Sequence, residues 1–163
     1  MESSAGWSDF FVASAGATAA LAGLVFVALS INLGKILALG GVTERAGETI
    51  LLLASGLVGS LAALIPHETR PQLGLWLLIL WCPTWLVPTI VQISDFAKRR
   101  YYRAYQAVIR FFLFQSATVP LLLAGLSLRG YLDGGLLWLA LGLIVSLIVA
   151  LYNAWVLLVE ILR

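Results

Sequence analysis

The chain alternates between long runs that carry no charged side chain and short segments where the charges collect. The uncharged runs are Phe10–Gly34, Thr49–Pro66, Pro71–Ser94, Phe111–Leu128 and Gly134–Val159. A helix crosses a hydrocarbon core of ~30 Å with roughly 20 apolar residues, and each run approaches or exceeds that need. The pattern predicts an all-α integral membrane protein: a compact bundle of five transmembrane helices over about 8–34, 46–65, 72–95, 104–128 and 134–161. The connections are too short to hold a soluble domain, so the whole chain, 1–163, is expected to form a single transmembrane domain. Composition agrees, with 61% hydrophobic and only 11% charged residues, too little polar surface to cover the chain in water.

The charges gain meaning once they are placed between the spans. Alternating the connections puts Lys35, Arg45, Lys98, Arg99, Arg100, Arg103, Arg110 and Arg163 on one side, against Arg70 and Arg129 on the other. Cytoplasmic loops carry the excess of Lys and Arg, so the N-terminus is predicted outside and the C-terminus in the cytoplasm. The first nine residues hold Glu2 and Asp9 without Lys or Arg, and the apolar run behind them is too long for the core of a cleavable signal.

The densest basic segment is KRRYYRAYQAVIR, Lys98–Arg110. Interleaved cations and aromatics could stack and clamp a nucleic acid, but beside two spans they read as a juxtamembrane anchor. Lys98, Arg99, Arg100 and Arg103 are then expected on anionic lipid, with Tyr101, Tyr102 and Tyr105 at headgroup depth, and no nucleic-acid partner is expected. Trp7, Trp76, Tyr131 and Trp138 fall at the opposite ends of their spans and are expected in an outer aromatic belt.

Within the first span two stripes can be drawn. Ala13, Gly16, Ala20, Gly23, Ser30 and Gly34 follow three- and four-residue steps, a small-residue seam that lets another helix approach closely. On the opposite face Ser14, Thr18, Leu21, Val25, Ala28 and Asn32 place polar groups at both ends of an apolar stretch, a layout that could line a hydrophobically gated pore. The fifth span repeats the seam with Gly135, Gly142, Ser146, Asn153 and Glu160, and the second adds Gly56, Gly59, Ser60 and Ala63. Pro83 and Pro88 interrupt the third span and free two helix carbonyls, and Pro120 does the same in the fourth. Cys82 is the single cysteine; inside an apolar run it is expected to behave as a small buried hydrophobe.

Under this topology the remaining polar residues gather in the cytoplasmic half. Glu48, Gln92, Arg110, Gln115 and Asn153 form a candidate polar cluster, with Glu48 and Arg110 as natural partners, since ionisable groups at membrane depth pair or face water. Catalytic patterns are missing: His67 is the only histidine, in the short segment HETRP, and no nucleophile elbow, zinc-protease helix or phosphate loop occurs. No enzyme, cofactor or metal is expected.

The segment GWSDFFVASAGATAALAGLVFVALSINLGKIL (Gly6–Leu37) resembles the start of a group of small bacterial multi-span membrane proteins, some labelled "modulator of FtsH protease". The resemblance implies a bacterial cytoplasmic (inner) membrane and a regulatory role beside a larger complex. The modulators known by that name are Bax-inhibitor-like proteins with seven spans, a plan from which five spans and an outward N-terminus depart, so no site residue is carried over. Two functions follow as expectations: a non-enzymatic, self-associating scaffold or regulator of a membrane complex, or a homo-oligomeric ion channel lined by the first span.

Overall fold

The computed structural model describes residues 4–38, 42–66, 69–98 and 104–162. The described residues are helical almost throughout and contain no strand: α1 (Ser4–Ile31), α2 (Leu33–Ala38), α3 (Val42–Ala63), α4 (Arg70–Lys98), α5 (Ala104–Leu128) and α6 (Leu136–Leu162). Five of these, all but α2, are long and apolar enough to cross a membrane. The short α2 was not anticipated. It arises because the first span breaks at Asn32, whose backbone N–H drops to the Leu29 carbonyl (3.2 Å), while Ile36 N picks up the Asn32 carbonyl (3.0 Å) and helix resumes.

The chain divides into two compact units, 1–67 with 146–163, and 68–145. In the first unit α1 packs along α3. The face of α1 that does so carries Phe11, Ser14, Ala15, Thr18, Val25 and Leu29, all buried and spaced by helical turns. Ser60 of α3 faces Ser14, and Leu52, Leu53 and Ser55 of the same helix are also buried. Near the start of α1, Trp7 stacks on Phe11 (ring centroids 5.9 Å), and Phe10 meets both rings edge-on.

In the second unit α4 and α5 run antiparallel. Their crossing is tightest at Gly74 and Gly125: a Cβ on Gly74 would lie 2.8 Å from the Gly125 carbonyl oxygen, and one on Gly125 would lie 2.7 Å from Leu78 Cγ. Farther along α6, a Cβ on Gly142 would lie 2.7 Å from Leu121 Cγ, so α6 also packs closely on α5. Glycine here replaces a side chain with the neighbouring helix. α4 stays helical through Pro83 and Pro88, and α5 through Pro120. Thr84 and Thr89, each one residue past a proline of α4, return their hydroxyls to carbonyls of the preceding turn, Thr84 to Leu80 and Trp81 (3.2 and 3.0 Å) and Thr89 to Trp85 (2.6 Å).

Both ends of the second unit's connections are capped. Thr69 and Gln72 form one half of a capping box at the start of α4, the Gln72 Oε1 accepting from Thr69 N (3.2 Å) and also from Thr69 Oγ1 (2.6 Å). α5 ends in a Schellman motif, with Tyr131 N donating to Leu126 O (3.1 Å) and Gly130 N to Ser127 O (2.9 Å). Gly130 takes the left-handed conformation (φ +85°) that this motif requires.

Candidate functional site

The two faces of α1 differ in burial within this chain. The stripe offered as a pore lining is the packed one. Ser14 and Val25 are buried, Thr18 is 1% exposed, and Leu21 and Asn32 are half-buried. The Ser14 and Ser60 hydroxyls hydrogen-bond between α1 and α3 (3.2 Å), and Ser60 Oγ also reaches the Gly56 carbonyl (2.9 Å). Thr18 donates to the Ser14 carbonyl (2.7 Å) and Asn32 Nδ2 to the Ala28 carbonyl (2.9 Å). The physical reason is the membrane itself: where lipid can satisfy no hydroxyl, Ser and Thr gain by turning toward a neighbouring helix and their own backbone.

The small-residue seam of α1 is the outward face. Gly16, Ala20 and Gly23 are exposed, and so are Ala13, Val27, Ser30 and Gly34 along the same line. A Cβ added at Gly16, Gly23 or Gly34 would meet nothing within 4 Å, in contrast to Gly74, Gly125 and Gly142. This leaves a smooth outward surface free of side-chain bulk. On α6, Gly142 and Ser146 are buried. Gly135 lies outside the helix in a left-handed conformation (φ +50°), so it belongs to the turn and not to a seam.

The residues of the candidate polar cluster come from both units. Glu48 and Asn153 are buried within the first; Gln92, Arg110 and Gln115 belong to the second. Within the second unit, Gln115 on α5 bridges two side chains of α4: Trp85 Nε1 donates to Gln115 Oε1 (2.6 Å), and Gln115 Nε2 donates to Thr89 Oγ1 (3.1 Å). With Thr89 bonded on to the Trp85 carbonyl, this closes a ring of three residues beside Pro88. One turn earlier, Trp81 is 1% exposed and its indole N–H has no hydrogen-bond acceptor among the described residues.

The anionic-lipid residues Arg99, Arg100 and Arg103, the side chain of Lys98, and His67 lie outside the described residues. Cys82 is exposed, correcting its expected burial: it faces outward from α4. Gly74, Gly125 and the Thr69–Gln72 box were passed over in the sequence. The capping box was readable as TRPQ; the two glycines, isolated and outside any repeat, carried no signal of their own.

The fold defines the class: this is a multi-pass, all-α membrane protein with five helices able to span a bilayer. Compared with family models, curated proteins and solved structures, the chain finds no match.

Proposed function

We propose that the protein is a non-catalytic scaffold or regulator in a bacterial cytoplasmic membrane that self-associates through the outward small-residue face of α1. The observation that carries this reading is the contrast between glycines. Those of α4, α5 and α6 are filled by a neighbouring helix, whereas those of α1 stand open along one continuous line. Helix association in lipid is driven by close packing, and small residues are what permit it. A second copy of α1 fits that line. The channel reading receives no such support, because Ser14 is bonded to Ser60 of α3, and Thr18 and Val25 are buried within the chain. The resemblance of Gly6–Leu37 makes a membrane protease complex the first larger partner to test by co-purification.

The direct test is oxidative cross-linking in native membranes, in a Cys82→Ala background that removes the single cysteine. Ala20→Cys lies on the seam; Phe26→Cys is exposed but off it. A covalent dimer is expected from the first and not the second, and Gly16→Leu with Gly23→Leu is expected to abolish it. Equal cross-linking at both positions, or none at Ala20→Cys, would overturn the reading.

A further inference from the structure

One end of the second unit carries aromatic side chains that the packing of its helices leaves outside. Gly74, near the start of α4, touches Gly125 near the end of α5, and Gly142 of α6 touches Leu121. Helix geometry then sets the levels. Trp138 lies one turn before Gly142, and Gly125 one turn after Leu121, so Trp138 stands level with Gly125. Trp76 is two residues beyond Gly74 and stands at the same level. Trp76 is 57% exposed, Trp138 is half-buried, and Tyr131, on the turn that closes this end, is 70% exposed.

The turn is held rigidly. Ser127 Oγ donates to Leu132 O (2.9 Å) and accepts from Gly135 N (2.6 Å), which ties both ends of 127–135 to one hydroxyl. Trp138 Nε1 donates to Asp133 O (3.0 Å), and its ring covers Gly134, where a Cβ would lie 2.7 Å from the indole. Gly134 itself adopts φ +111°, which a side-chain-bearing residue rarely does. With the Schellman motif, these bonds fix Tyr131 and Leu132 outward without help from any partner. Arg129 and Asp133, on the same turn, are exposed, and so is Arg70 at the start of α4.

We propose that this turn, with Trp76 and Trp138, is a preformed anchor for the headgroup layer of the bilayer. Tyr and Trp favour that layer because it wets their polar atom and shelters their ring, and arginine there meets lipid phosphate. Along the sequence of α4, the next charged residue after Trp76 is Asp95, nineteen positions further on. That separation is about 28 Å of helix, matching a hydrocarbon core of ~30 Å. Placing Trp76 and Trp138 at one boundary therefore puts Asp95 at the other, and fixes the depth of α4 in the membrane.

The anchor rests on reading these helices as spans and not on self-association, so a protein that fails to cross-link leaves it untouched. Its test is a depth measurement by spin labels at single cysteines in the Cys82→Ala background, reconstituted in phospholipid nanodiscs. Trp76→Cys and Tyr131→Cys probe the anchor, and Leu86→Cys, exposed midway along α4, marks the bilayer centre. The ratio of oxygen to nickel-chelate accessibility is expected to be several-fold lower at 76 and 131 than at 86. Leu75→Cys and Leu132→Cys, exposed at neighbouring positions, give the same reading if either aromatic substitution prevents folding. Labels at 75, 76, 131 and 132 that match the depth of 86, that are shielded from both reagents, or that sit in bulk water each overturn the proposal.

Discussion

Gln115 gives the sharpest test of how the second unit is held together. It accepts from Trp85 Nε1 at 2.6 Å and donates to Thr89 Oγ1 at 3.1 Å, so Gln115→Leu deletes two interhelical hydrogen bonds while keeping most of the volume. Hydrogen bonds between membrane helices are worth ~0.6 kcal/mol on average and at most ~1.7, because the unfolded chain in lipid also finds partners. The substitution is therefore expected to cost about 1–2 kcal/mol. Trp85→Phe removes the donor but also ring area, so its own cost mixes packing with polarity. The double-mutant cycle separates the two: the coupling between Trp85→Phe and Gln115→Leu is expected at about 0.6–1.7 kcal/mol. Unfolding in bicelles, followed by steric trapping or denaturant titration, measures all four species. A coupling below about 0.3 kcal/mol, within ordinary additivity, would show that the bridge does not hold α4 to α5.

Two further outcomes follow from the same geometry. Gly142→Val drives a side chain into Leu121 and Gly125→Val drives one into Leu78, so each is expected to lower stability in bicelles by about 1–3 kcal/mol; Gly23→Val, facing open space, should leave monomer stability unchanged. The distribution of Lys and Arg predicts a cytoplasmic C-terminus, so a fluorescent protein fused there should fold and glow, and a periplasmic phosphatase reporter at the same place should stay inactive.

The spans were legible because absence of charge over eighteen or more residues has few other causes, and α3 to α6 begin and end close to where the charges resume. The facing of α1 was not. Periodicity separates Ser14 and Thr18 from Gly16 and Ala20, but it does not say which set turns inward, since both small and weakly polar residues suit a helix contact in lipid. Only the partner decides, and that partner, Ser60, lies 46 positions away. Gly74 and Gly125 were hidden for a related reason: each is an ordinary glycine until the antiparallel register sets one against the other. Gln115 was grouped by depth because depth was the only coordinate available. Its partners, Trp85 and Thr89, needed an angle around the helix and the identity of the residues across from it.

The division of the chain has a consequence for biosynthesis. The first unit is discontinuous: 1–67 is completed by 146–163, while 68–145 forms the other unit in between. At a synthesis rate of 5–20 residues per second, the roughly 80 residues that separate α3 from the second half of α6 take about 4–16 s to make. For that interval α1 and α3 sit in the membrane as a pair, held by the Ser14–Ser60 bond and their apolar seam, before Val149, Ala150 and Leu157 exist. The length of that window is set by α4 and α5, and slowing translation there should lengthen the pair's exposure to membrane proteolysis.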